Sequence, residues 1–309
     1  MKALFISRNL IGDSLYVGPA LRKWILTHDI EIKRFDRPPQ DEIIIQTIPD
    51  HVAPLYQGMV RDLIQIKTVF ERPIGNLDFE HEFNVSKAFD LSDKKKQHIA
   101  DSYAELLGVK LEGGNERLKP IYIPDDNKWM EGPHETLGSL KGAILISMFS
   151  ASCTSRDANT KGLPPNKMLL SKDNNGEWKS YAKWKPMLKL IKEQYPDNPI
   201  RFVGAPTDVL PEELKEYGTA MFGVPLNRLA LIMQKAKLIL TIDNGMSHLA
   251  ASQEAPTFLL YPRCLGVHYI LPIGNPNLEW VQVDPVYVNP AQLAFSLKHA
   301  ITRFKAEEK

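Results

Sequence analysis

The stretch that most narrows what this chain can fold into is Leu238 to Ala251, LILTIDNGMSHLAA. Leu238 to Ile242 is a short apolar, β-branched run of the kind that forms a strand covered on both faces. Asp243-Asn244-Gly245 is strong turn chemistry, and the Ala- and Leu-rich run Ser247 to Gln253 predicts a helix that ends before Pro256. A strand that feeds a helix through a glycine turn aims backbone N–H groups and a positive helix end at one point, which suits a phosphate. The same pattern also serves as an ordinary strand-to-helix loop, so the residues alone leave both readings open.

A second such unit lies at the N-terminus. Residues 2–7, KALFIS, predict a strand that runs through Gly12-Asp13 into a helix over 14–26. Ile30 to Phe35, Ile43 to Ile48 and Leu63 to Phe70 read as further strands, and Pro54 to Asp62 as a short helix. Ser92 to Leu107 carries apolar residues at helical spacing, with Ser92 as the expected N-cap and Gly108 as the stop. Residues 112–142 are rich in Gly, Pro, Asp and Asn, and a fresh α/β pattern follows. It comprises a strand at 143–148, a helix at 181–194, a strand at 200–203, helices at 211–217 and 226–235, a strand at 258–261 and an amphipathic helix at 290–305. For 309 residues this predicts two α/β domains, 1–138 and 139–309, with a ligand cleft where the C-terminal strand edges meet.

Bulk properties exclude several classes. No run approaches the roughly 20 apolar residues of a membrane span, and the opening residues lack a secretory signal pattern, so a cytoplasmic protein with at most peripheral membrane contact is expected. Cys153 and Cys264 are the only cysteines, which speaks against a disulfide framework or a structural zinc site. Residues 1–140 hold 18 Lys and Arg against 22 Asp and Glu, and the remainder 20 against 15. The second half is thus the mildly basic one, as handling an anionic ligand would require.

With both turns in view, the chain resembles the family 9 glycosyltransferases, best known for the ADP-heptose lipopolysaccharide heptosyltransferases. Gly12-Asp13 followed by Pro19-Ala20-Leu21 looks like that family's first motif. Ser147 to Ser155 resembles its phosphate-contacting loop, Lys183-Trp184 with Pro186 its Lys/Arg-Trp-Pro helix start, and Phe202 to Pro206 its strand-to-glycine loop. IDNGMSHLAASQEAPTFLLYP is similar to its signature, with Asn244 where Thr is usual. Arg263-Cys264 stands where Gly-Pro-Thr is more common, and the loop from Ala151 to Gly176 is longer than in many members.

The resemblance implies a glycosyltransferase-B fold, an α/β architecture of two Rossmann-like domains facing across a cleft, acceptor side first and donor side second. The last helix is expected to pack back on the first domain. It further implies transfer of a sugar, a heptose in the best-known members, from a nucleotide-sugar donor to a saccharide or glycolipid acceptor, inverting and without a metal. Asp13 is the implied base, although an Asp there also serves as a helix cap. Gly245, Met246, Ser247 and His248, with Ser150, Ser152, Thr154 and Lys183, are the candidates for the donor phosphates. Asp243 and Asn244 are candidates for the donor sugar, and Pro206, Asp208 and Met233 for the nucleotide. Arg37 and Arg61 are candidates for an anionic acceptor. No cofactor beyond the co-substrate is expected, and no Asp-x-Asp pair for a metal is present. Two alternatives belong beside this reading: a glycosyltransferase acting on a modified DNA base, disfavoured by the acidic first half, and a non-catalytic nucleotide-sugar-binding protein.

Overall fold

The computed structural model describes residues 2–7, 11–28, 42–47, 53–60, 67–69, 79–112, 140–148, 184–206, 208–262, 271–272, 274–283 and 289–307. These form two all-parallel sheets whose strands do not interleave in sequence. The first has the order β3-β2-β1-β4, from β1 (Lys2–Ser7), β2 (Glu42–Thr47), β3 (Lys67–Val69) and β4 (His81–Asn84). The second has the order β10-β9-β8-β5-β6-β7, from β5 (Ile144–Ser147), β6 (Ile200–Gly204), β7 (Thr219–Phe222), β8 (Leu238–Ile242), β9 (Thr257–Pro262) and β10 (Leu278–Val283). Their helices are α1 (Ile11–Thr27), α2 (Ala53–Val60), α3 (Ala88–Lys95), α4 (Ile99–Leu106), α5 (Lys185–Gln194), α6 (Leu226–Gln234), α7 (Gly245–Ser252) and α8 (Pro290–Glu307).

Central strands are apolar on both faces because helices cover both. Every residue of β5 and of β8 is buried, and the two pair in register with Ser147 opposite Thr241. Edge strands alternate instead. β4 and β10 expose every second residue, which is why neither reads as a strand from its apolar content.

Several sequence expectations change here. α1 begins at Ile11, so Gly12 and Asp13 lie in its first turn and not on a preceding loop. The single helix expected over 92–107 is broken in two at Lys96, whose φ of 54° is left-handed. Ser92 lies inside α3 and donates its hydroxyl to the Gln97 carbonyl at 2.6 Å, and the cap of α4 is His98. The helix expected over 211–217 is one 3-10 turn, Glu212–Leu214, followed by β7. The strand expected at 30–35 and the boundary at 138/139 lie outside the described residues. Among the described residues the last helix, α8, packs on α5 and β10, burying Leu293, Leu297, Ala300, Ile301 and Phe304 in a cluster made of second-half side chains.

What joins the halves is a shared core. One cluster of buried side chains runs from Phe5, Leu15, Tyr16, Leu21, Trp24 and Met59 in the first half to Val203, Leu229, Met233, Ile239 and Leu249 in the second. Its seam is the packing of α1 on α7 and of α2 on α6. At roughly 25 cal/mol per Å² of apolar area removed from water, such a seam holds the halves in one arrangement and fixes where their strand ends meet. Among the described residues no helix is long and apolar enough to cross a membrane.

Candidate active site

Two strand-to-helix units meet at the seam: β1 into α1, and β8 into α7. Their first turns pack directly together because each carries a glycine at the contact. A Cβ on Gly12 would lie 2.3 Å from Cδ2 of His248, and a Cβ on Gly245 2.8 Å from Cβ of Ile11. Both distances are far inside carbon–carbon contact, so any side chain at either place forces the helices apart. The sequence motif explained Gly12 and Gly245 as turn residues. The structure gives them a second role, allowing two positive helix ends to converge.

Around that convergence lie polar groups with incomplete partners. Asp243 ends up 9% exposed and His248 5% exposed at their side chains, with Nε2 of His248 3.8 Å from Oδ1 of Asp243. Among the described residues neither Oδ1 of Asp243 nor Nδ1 of His248 has a hydrogen-bond partner. Burial pushes the Asp243 carboxyl up to about 7 and, with the nearby His98, holds the His248 imidazole down to about 3. Near neutral pH the pair is therefore an imidazole without charge beside a carboxyl that titrates. Leaving such groups unmatched costs about 1–3 kcal/mol each, a cost that a bound polar ligand would remove.

The ring of Tyr16 stands between two histidines, with its edge contacts at 5.0 Å to His98 and 5.2 Å to His248. His98 accepts from the Ala100 N–H at Nδ1 (3.2 Å), so its Nε2 carries the hydrogen, which it donates to the Leu271 carbonyl at 3.4 Å. This links α4 of the first half to the second. Neither Tyr16 nor His98 bears any sequence signal for the site, since both reach it only through the packing of α1, α4 and α7.

Asn244, not Asp243, caps α7. Its Oδ1 accepts from the N–H groups of Met246 at 2.9 Å and Ser247 at 3.2 Å. The Ser247 hydroxyl donates to the Asn244 carbonyl at 2.8 Å. Of the candidate phosphate groups at this turn, the amides of Met246 and Ser247 are thus engaged by the cap.

The nucleotide candidates are spread out. Pro206 lies against Gly223, whose added Cβ would meet the proline Cβ at 3.0 Å. Asp208 closes a turn by accepting from the Ala205 N–H at 2.6 Å, and desolvation raises its carboxyl above the ordinary range despite that bond. Met233 is wholly buried in the shared core and packs there with Leu229 and Ile239, so it offers no open face to a base. Asp13 sits in the first turn of α1 by its backbone, where a carboxylate is favoured by the helix end. Its side chain lies outside the described residues, as do Arg37, Arg61, Ser150, Ser152, Thr154 and Lys183. Among the described residues no cluster of three or more His, Cys, Asp or Glu has metal-binding geometry.

Comparison with known proteins follows the same lines. Residues 205–266, from the loop after β6 to just beyond β9, match the model of glycosyltransferase family 9 (heptosyltransferase). No curated protein matches the sequence. Among solved structures, the chain is similar to ADP-heptose LPS heptosyltransferase II of E. coli, with 14% identity, 99% of this chain and 100% of that one covered, and a TM-score of 0.63. It is likewise similar to a family 9 glycosyl transferase of Veillonella parvula, with 12% identity, coverage of 98% and 97%, and a TM-score of 0.62. A third similar structure is E. coli heptosyltransferase WaaC with ADP-2-deoxy-2-fluoro heptose, at 14% identity, coverage of 98% and 99%, and a TM-score of 0.55. The two parallel sheets are those of the glycosyltransferase-B fold, and over residues 205–266 the chain is similar to glycosyltransferase family 9 (heptosyltransferase).

Proposed function

We propose that this protein transfers a sugar, a heptose by analogy with the similar structures, from a nucleoside diphosphate sugar to a saccharide or glycolipid acceptor, with inversion and without a metal ion. The observation that carries the proposal is the convergence of the α1 and α7 N-termini on the buried, incompletely partnered Asp243–His248 pair. Two helix ends supply positive field for the departing diphosphate, the part a divalent metal would otherwise play. A sugar hydroxyl donating to Oδ1 of Asp243 would satisfy the carboxylate that is unmatched without ligand. That WaaC has been captured with a fluorinated ADP-heptose supports an ADP-heptose donor here.

In the proposed reaction the acceptor hydroxyl oxygen attacks the anomeric carbon from the face opposite the diphosphate. The bond from that carbon to the phosphate oxygen breaks, the nucleoside diphosphate leaves with the electron pair, and Asp13 takes the hydroxyl proton. Lys183 and the hydroxyls of Ser150, Ser152 and Thr154 are assigned to the phosphates by the motifs that contain them, and Arg37 and Arg61 to the acceptor.

The test is a panel of nucleotide sugars, ADP-heptose among them, with the wild type and Asp13→Ala, read by mass spectrometry of acceptor products. Turnover in the wild type that falls at least about 100-fold in Asp13→Ala, in the range typical of a lost general base, supports the reading. Tight donor binding without turnover in any acceptor mixture would leave a binding protein instead, and full activity of Asp13→Ala would remove Asp13 from the role of base.

A further inference from the structure

We propose that Asn244 is a positioning residue, whose one side chain ties the end of β5 to the first turn of α7 and so sets the geometry of the diphosphate site. The proposal rests on the reading of that site given above.

Three elements end at this point: β5 at Ser147, β8 at Ile242 and, running the other way, α7 at Gly245. The carbonyl of the Asn244 side chain takes the N–H groups of Met246 and Ser247, and also lies 3.3 Å from the hydroxyl of Thr241, whose single hydrogen it shares with the nearer Ile242 carbonyl at 3.0 Å. Its amide nitrogen donates to Oγ of Ser147 at 3.0 Å, a contact across 97 residues of sequence. Ser147 is 1% exposed. With its oxygen held as an acceptor by Asn244, its own hydrogen is turned elsewhere, and among the described residues this hydroxyl donates no hydrogen bond.

Only an amide can do both jobs. A threonine has a single oxygen on a shorter stem, enough to cap α7 but not to reach Ser147 as well. An aspartate has two acceptors and would bring a second negative charge next to Asp243 and the diphosphate. Because the cap occupies the Met246 and Ser247 amides, the anion depends more on donors placed beside the helix end. The Ser147 hydroxyl is the one that Asn244 orients, and its free hydrogen is the donor we assign to a phosphate oxygen.

ADP and UDP serve as probes in calorimetric titrations of wild type, Asn244→Thr, Ser147→Ala and the double variant, each checked by thermal melting. The tie predicts that each single variant binds the nucleotide about tenfold more weakly while still folding, as the loss of one oriented hydrogen bond implies. It also predicts that the double variant is no weaker than the weaker single one, because both changes cut the same link. With a working transfer assay, the donor KM should rise while kcat stays within about twofold, a split that general loosening of the fold does not produce. If the wild type binds ADP or UDP but the single variants bind equally well, or if the double variant loses the product of the two single losses, the proposal is overturned while the site reading stands. If the wild type binds neither nucleotide, the site reading fails and this proposal fails with it.

Discussion

Replacing Gly12 with alanine tests the contact on which the whole site depends. The new methyl carbon would sit 2.3 Å from Cδ2 and 3.0 Å from Nε2 of His248. Carbon atoms pack comfortably at about 3.5 Å, so α1 and α7 must separate by about 1 Å unless the imidazole moves. It has nowhere to go, since His248 is buried and Tyr16 stands against its ring at 5.2 Å. Overpacking of a rigid site costs about 1–3 kcal/mol, and the upper end applies here. The better helix propensity of alanine returns at most about 1 kcal/mol. The net loss of about 2 kcal/mol corresponds to a melting temperature lower by about 3 °C in a chain of this size. Displacing the first turn of α1 by about 1 Å also moves Asp13 relative to Asp243, so kcat/KM for sugar transfer should fall about 100-fold. Calorimetric melting and a transfer assay on the purified variant measure both. Removing the ring in Gly12→Ala/His248→Ala should restore part of the lost stability, giving a double variant more stable than the two single losses sum to. A Gly12→Ala protein that melts within about 1 °C of wild type would refute the close approach of the two helices.

Three further outcomes follow from the site. Between about pH 4 and 6.5 the folded Asp243 keeps a proton that the unfolded chain has lost, and the unfolded His248 holds one that the folded chain lacks, so their effects on stability cancel. Above pH 6.5 only Asp243 remains to titrate and wild-type stability falls toward its folded value of about 7, whereas Asp243→Asn should gain stability from pH 4 to 6.5 with a slope of about one proton, measurable by urea unfolding across pH. His98→Ala removes the α4 cap and the bond to the Leu271 carbonyl, and should lower stability by about 1–2 kcal/mol in the same unfolding assay. Sugar transfer should continue at an unchanged rate in excess EDTA, and a chelator-sensitive rate restored by magnesium would overturn the assignment of the diphosphate to helix ends and side chains.

Much of this protein was settled locally. The run Leu238 to Ile242 is apolar enough to require cover on both faces, and Asp243-Asn244-Gly245 can only turn, so β8 and α7 follow from neighbours along the chain. The same holds for β1 into α1 and for two α/β halves. Edge strands escaped because β4 and β10 alternate polar with apolar residues, and β7 exposes half of its short length. Their pairing energy comes from a partner strand, not from their own composition. Lys96 escaped for a related reason: helical spacing continues through it, and the left-handed break pays off only once α3 and α4 pack separately.

The site divides the same way. That Gly12, Asp13, Asp243 and Gly245 lie where a strand feeds a helix was legible, because an apolar run, a glycine turn and a helix start follow one another in the sequence alone. That Gly12 faces His248 and Gly245 faces Ile11, that Tyr16 and His98 join them, and that Asn244 reaches Ser147 was decided only when α1 packed on α7. Contacts across such separations depend on how two buried faces fit, and a sequence specifies which faces are apolar long before it specifies which atoms on them will touch.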